Sequence, residues 1–484
     1  MVLEKIDYKK VFYFFEEISS VPRGSKNNEG ISDYLVSFAR ARDLNYVQDE
    51  YLNIIIYKDA TEGYEEVPTL ILQGHMDMVC EKQPDIEHDF TKEGLELKVD
   101  GDYVYANGTT LGGDDGIALA YALAILDDNE MVHPNLEVLI TTDEEIGMDG
   151  AINLDGSLLK GSYLINLDSE EEGTILTSCA GGLTACIKMP LEYETVEEKQ
   201  IRVMITGLTG GHSGMDIDKN RTNANLLLGR LLFELRKQNY HITQLYGGQK
   251  DNVITRDAVA YLTVAEEDIY SFINDIKFLT EIYKGELRNS EPNLSITIEQ
   301  SECKEYQVLT KQSMDNIIFM LLNIPHGVQV MSSNIPNLVE SSLNLGIFYM
   351  EDNQVYFSFS VRSSLGSYKQ FMSEKLRLLA DFIGGSYEIK GEYPAWEYQK
   401  DSKLRNLAIS IYEKQYGNEP KIEAIHAGLE CGIISNKLKN VDIISIGPDI
   451  LDIHSPQERL SISSTIRVFD YVVNLMEAYV TTIK

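Results

Sequence analysis

Residues 69–77 read TLILQGHMD, an unbroken apolar run that ends in glycine, histidine and an acid. The same grammar recurs along the chain. LEVLITT at 136–142 runs into Asp143-Glu144-Glu145, and YLINL at 163–167 runs into Asp168. LGG at 111–113 leads into Asp114-Asp115, and IISIG at 443–447 leads through a loop to His454. Short apolar runs that alternate with helical stretches, such as DDGIALAYALAILDD at 114–128, read as buried strands of an α/β sheet with helices on its faces. In open α/β sheets, ligands bind outside the carboxyl ends of the strands. The acids and imidazoles are therefore expected to converge in one crevice. Asp114 or Asp115 is the expected N-cap of the helix that follows.

Working outward, the N-terminal MVLEKIDYKKVFYFFEEISS mixes charge with apolar residues and reads as an amphipathic helix, not as a signal peptide. NIIIY at 53–57 is a further strand, and LELKVDGDYVYANG has the turn signals of a hairpin. After about residue 182 the texture changes to half-exposed alternating strands (LTACIKMPLEY, IRVMITGL, VYFSFSVRSS) with amphipathic helices between them. That pattern predicts an α+β insert over 183–397. It interrupts a catalytic α/β domain formed by 1–182 and 398–484.

The chain has 484 residues with 42 basic and 76 acidic side chains, a formal charge of −34. A field of that sign repels phosphate backbones and anionic lipid, so nucleic-acid and membrane-surface partners are not expected. No run of 18 apolar residues occurs, which argues against membrane spans. The 5 cysteines are scattered without close pairs, which predicts a reducing, cytoplasmic setting.

Imidazole nitrogen together with carboxylate oxygen suits borderline divalent ions, zinc first, with manganese or cobalt as alternatives. One carboxylate giving an oxygen to each of two ions produces the spacing of about 3.5–4 Å of a co-catalytic pair. An H-x-D or a Glu-Glu alone is common. The weight lies in several strand ends that carry the right donors.

The ordered set GHMDM, GTTLGGDDGIALA, TTDEEIGMDGA, LINLDSEEEG, GLTGGHSGMDI and GPDILDIHSPQE resembles the co-catalytic zinc exopeptidases. That family includes aminoacylase, carboxypeptidase G and bacterial dipeptidases. YGGQKDNVITRDA, GVQVMSSNIPNLVESSLNLG, FSVRSS, YPAWEY and HAGLECG are similar to stretches of its aminoacyl-histidine (Xaa-His, carnosinase-like) dipeptidases. The resemblance implies a mixed sheet flanked by helices, an α+β lid and hydrolysis of short peptides, Xaa-His dipeptides first. An aminoacylase or tripeptidase is the alternative on the same scaffold, and a non-catalytic metal-binding relative is a more distant one.

Carried across position by position, the resemblance implies that His75 and Asp168 hold one ion and that Glu145 and His454 hold the other. Asp114 bridges them, with a cis peptide after it. Asp77 orients His75. Glu144 is the general base that takes a proton from water shared by the two ions. His212 stabilises the oxyanion, Asn252 and Arg362 hold the substrate backbone and its C-terminal carboxylate, and His426 faces the substrate. Two departures from relatives stand out: Asp115 where Asn is frequent, and Thr255 where Pro is frequent. Both are expected to alter local loops and to leave the chemistry intact. Homodimerisation is the expected assembly.

Overall fold

The computed structural model describes residues 2–483, which fall into two compact units. Among the described residues, the first comprises 2–178, 398–424 and 429–483. The second comprises 179–397 together with 425–428. The short segment 425–428 lies in the stretch that the sequence assigns to the catalytic domain. It joins the second unit because Ala180 N–H donates to the carbonyls of Ile425 and Ala427, and His426 meets Ser342.

The first unit is built on an 8-stranded mixed sheet. At its centre, Leu70–His75 runs parallel to Leu136–Thr141 on one side and to Tyr163–Asn166 on the other. Asp442–Ser445 extends the parallel set next to Tyr163–Asn166. The register pairs His75 with Thr141 and Gln73 with Asn166, so these strands end almost level with one another. Every residue of Leu70–His75 and Leu136–Thr141 is buried. Near-continuous apolar runs are what strands covered on both faces require.

The helix Gly113–Asp127 is buried along its length from Gly113 to Leu126. It is apolar all round, and a helix of that kind belongs inside a protein. Its alanines allow a close approach to the sheet. Gly74 faces Ala118 and the Asp115 carboxyl so closely that a β-carbon at residue 74 would collide with both. The long C-terminal helix Ile462–Thr482 begins on Ser461, whose hydroxyl accepts the N–H of Ser464. It packs Phe469, Val472, Met476 and Tyr479 into the same core. The hairpin Leu97–Asp100 with Tyr103–Ala106 forms as expected.

Two local expectations are corrected. The N-terminal helix is confined to Val11–Ser19, because Lys9 and Lys10 adopt left-handed backbone angles that a continuous helix cannot include. Gly112, not Asp114 or Asp115, is the residue in the cap position, and the non-helical angles of the two acids kink the helix just after its start.

The second unit is a 9-stranded antiparallel sheet with the helices Ala224–Glu234, Ile269–Glu286, Lys311–Asn323 and Gly366–Phe382. Residues of all four helices share one apolar core with the sheet. Among the described residues, no helix is long and apolar enough to cross a membrane.

Candidate metal centre and its surroundings

The level ends of the central strands bring the ligand types together. His75 closes its strand, Glu144 and Glu145 follow Thr141 by a few residues, and Asp168 follows Asn166 by two. Asp143 has φ 54°, so the chain reverses sharply before the short 3₁₀ turn Glu144–Ile146. That irregularity lets the adjacent carboxylates Glu144 and Glu145 both reach the same cluster, whereas a regular strand would send them to opposite faces. Asp143 is held by Lys26 N–H at 2.7 Å and Asn28 Nδ2 at 2.8 Å. His454 also sits in the left-handed region, at φ 57°.

Two ligand groups result, His75/Asp114/Asp168 and Asp114/Glu145/His454, each with its donor atoms within 4.8 Å of one another. Asp114 belongs to both. Its Oδ1 lies 3.1 Å from His75 Nε2, and its Oδ2 lies 3.2 Å from His454 Nε2. Asp168 Oδ1 is 3.4 Å from His75 Nε2, and Glu145 Oε2 is 3.0 Å from His454 Nε2. The Asp114–Asp115 peptide is cis. Imidazole nitrogens and carboxylate oxygens at this spacing fit divalent cations, and one shared acid with an oxygen turned to each group fits a pair.

Electrostatics point the same way. Burial pushes Asp168 up to about 6, and only the neighbouring His75 limits the rise. Burial also pushes Glu144 well above the usual carboxylate range, helped by Asp168, Glu430 and Glu145. Burial works against a charge on Asp114, but the hydrogen bonds from His454 and His75 outweigh it and hold that carboxyl low. His454 is pushed up to about 10 by its bonds to Asp114 and Glu145. So many acids in one buried place repel one another, and divalent cations supply the countercharge.

Asp77 is fully buried and serves four neighbours, among them the Glu145 N–H, which donates to its Oδ2 at 3.4 Å. Its Oδ1 accepts Glu144 N–H at 3.0 Å and lies 3.4 Å from His75 Nδ1, and its Oδ2 accepts the Ser25 hydroxyl at 2.7 Å. Asp115 is not a ligand in either group. Its Oδ2 accepts His75 N–H at 3.1 Å, and burial followed by the charge of Asp168 pushes its carboxyl well above the ordinary range. Thr255 is buried in the second unit, and its hydroxyl donates to Gly346 O at 2.8 Å.

Three nearby residues had no role assigned from the sequence. Arg23 is 1% exposed, and its guanidinium donates to the carbonyls of Met76, Asp77 and Gly112. Glu430 is fully buried and accepts from Gln73 Nε2 and Thr141 Oγ1, both at 2.6 Å. Glu458 accepts backbone N–H groups of the loop that leads to Asp114. HAGLECG and GPDILDIHSPQE, which carry the resemblance, contain Glu430 and Glu458, but nothing in either stretch singles out those two acids.

Within the second unit, His212 lies on a two-residue ribbon with Gly211, paired to Val253–Ile254. Its Nδ1 accepts the N–H groups of Gly214 at 3.3 Å and Met215 at 3.1 Å, which leaves the ring proton on Nε2. Burial, then the positive charge of Arg362, lowers its pKa and keeps the ring neutral. Arg362 is buried on the strand Gln354–Ser363, and its Nη1 donates to Tyr393 Oη at 3.1 Å. His426 Nε2 meets Ser342 Oγ at 2.7 Å, and burial with Arg362 and His212 nearby pushes it down to about 3. Two neutral imidazoles and a guanidinium thus neighbour one another. Asn252 stands beside them with an exposed side chain, and its carbonyl accepts Ser213 N–H at 2.9 Å.

Comparison with known proteins gives a consistent picture. The profile described as "Peptidase family M20/M25/M40" matches residues 71–478. The chain is 37% identical over 478 residues to the cytosol non-specific dipeptidase of Escherichia coli (strain K12), covering 98% of each. The crystal structure of aminoacylhistidine dipeptidase from Vibrio alginolyticus superposes with a TM-score of 0.91 at 35% identity, covering 97% of this chain and 96% of that one. Aminopeptidase PepT from Bacillus cereus, at 15% identity and a TM-score of 0.53 over 99% of this chain and 100% of that one, shares the fold.

Proposed function

The chain belongs to peptidase family M20/M25/M40, and from that premise we propose that it hydrolyses dipeptides, Xaa-His among them, at a centre of two divalent cations, zinc first. It is a dipeptidase of that family. The relative at 37% identity is named non-specific, so Xaa-His peptides are proposed as part of a wider dipeptide range. The observation that carries the metal centre is the split carboxylate of Asp114, one oxygen toward His75 and the other toward His454.

His75 and Asp168 would hold one cation, Glu145 and His454 the other, and Asp114 both. Bound there, the cations would polarise the scissile carbonyl and acidify water. Glu144 takes the proton from that water as it attacks and returns it to the departing amine. Its raised pKa suits both halves of the task. Asp77 steadies the Glu144 backbone and the His75 ring at once. His212, with its proton fixed on Nε2, donates to the oxyanion. Arg362 takes the C-terminal carboxylate, which a guanidinium can grip with two hydrogen bonds, while Asn252 and His426 contact the rest of the substrate. The overall charge of −34 repels an anionic peptide, so this arginine acts locally, within a screening length of about 8 Å. The cytosol, named for the E. coli relative, is the proposed compartment, and a homodimer is the proposed assembly.

A substrate panel tests the reading: Xaa-His peptides, other dipeptides, tripeptides and N-acyl amino acids, with metal analysis before and after chelation. Dipeptides should be cleaved fastest, with activity lost and regained together with two metal ions per chain. Faster cleavage of tripeptides or N-acyl amino acids than of every dipeptide would move the assignment to the alternative hydrolases.

A further inference from the structure

Glu458 lies four residues after His454 in the chain, is 2% exposed, and directs its carboxylate at the backbone of another loop. Oε2 accepts the N–H groups of Leu111 at 2.7 Å and Gly112 at 3.0 Å. Oε1 accepts those of Gly113 at 2.8 Å and Asp114 at 3.4 Å. One side chain therefore collects four consecutive amides and ends on the residue shared by both ligand groups. Such convergence needs a sharply turned backbone. Gly112 supplies it at φ 62°, and a β-carbon there would run into Arg23 and Met78.

Arg23 completes the arrangement from the carbonyl side. It donates to Gly112 O in the same loop and to Met76 O and Asp77 O, the carbonyls of the two residues that follow His75. The buried acid and the buried base thus hold the Asp114 loop from opposite poles of its peptide groups. Through Arg23 that loop is tied to the segment after His75. Through Glu458 it is tied to the segment after His454, where Glu458 N–H also donates to Ser455 O at 3.0 Å.

We propose that Glu458, acting with Arg23 through the backbone of residues 111–114, is a positioning residue that sets the Asp114 carboxylate between the two ligand groups and so governs cation affinity. The proposal rests on the metal-centre reading above. Partners of metal ligands commonly tune affinity by about 10–100-fold. Glu458→Gln keeps the size of the side chain but turns an amide N–H₂ toward backbone donors that need an acceptor. The control is Glu137→Gln. Glu137 is likewise 3% exposed and accepts three backbone bonds, from Lys160 and Gly161, at the opposite end of its strand from the candidate centre.

The experiment is calorimetric titration of the metal-stripped full chain with Zn²⁺ or Co²⁺. Glu458→Gln should bind about 10–100-fold more weakly than wild type, whereas Glu137→Gln should match wild type within about twofold. Equal affinity in Glu458→Gln and wild type, or an equal loss in the Glu137→Gln control, would overturn the proposal. Wild-type chain that takes up no cation would sink the metal centre itself, a different result from an indifferent Glu458→Gln. Should Glu458→Gln fail to fold, amide hydrogen exchange on stripped wild type decides. The amides of 111–114 should stay protected without cation, and exchange as fast as that of exposed loops would refute the clamp.

Discussion

The carboxylate of Asp77 accepts the backbone N–H of Glu144 at 3.0 Å, so one buried acid joins the histidine end of the centre to the segment that carries the proposed base. Asp77→Asn would keep the volume but leave one oxygen position as a donor that faces donors. Metal affinity is expected to fall about 10–100-fold and turnover to fall with it. Atomic absorption and steady-state rates on one dipeptide separate the two effects. Full occupancy with unchanged turnover would show that the link is idle.

Glu144→Gln is the direct test of the base. Glu144 belongs to neither ligand group, so both cations should remain bound while kcat drops by about 10²–10⁴-fold. The measurement is metal content and kcat on the same preparation. A variant that loses metal instead would place Glu144 among the ligands.

His212→Asn asks whether the second unit supplies a donor to the reaction. The two backbone N–H groups on Nδ1 fix the tautomer, so the only ring donor is Nε2. Removing one oxyanion donor costs about 10²–10³-fold in kcat. Metal content should not change, because the ligand groups lie wholly in the first unit. A rise in KM with kcat preserved would make His212 a binding group and end the oxyanion role.

How much of this was legible depends on where each residue finds its partners. His75, Asp114, Glu145, Asp168 and His454 stand at or beyond ends of apolar runs, and strand order alone draws such positions together. The helix-cap expectation for Asp114 and Asp115 failed for a physical reason. Their side chains are taken by His454, His75 and the His75 backbone, and those long-range partners outcompete a local cap. Arg23 and Glu458 bond to main-chain atoms, which every residue possesses, so no pattern of side-chain types reveals them. His426 was expected to face the substrate. Its grouping with the second unit hangs on four residues, too short a segment for texture to mark.

Glu430 gives a pH-dependent expectation that needs no substrate. It is fully buried, bonded to Gln73 and Thr141, and surrounded by the charges of His75, Asp168, Asp77 and Glu144. Burial pushes its carboxyl up to about 8, against the opposing pull of His75 and the Thr141 hydroxyl. The folded chain therefore holds a proton that the unfolded chain releases near its ordinary value of about 4.3. With more protons bound in the folded state, stability falls as pH rises between those two values and levels off above the upper one. Glu430→Gln has no proton to lose there. In urea unfolding of metal-stripped protein from about pH 5 to pH 8, wild type should lose stability relative to Glu430→Gln as pH increases. A difference between the two that is flat with pH would mean that Glu430 is already ionised in the folded chain, its charge balanced by His75.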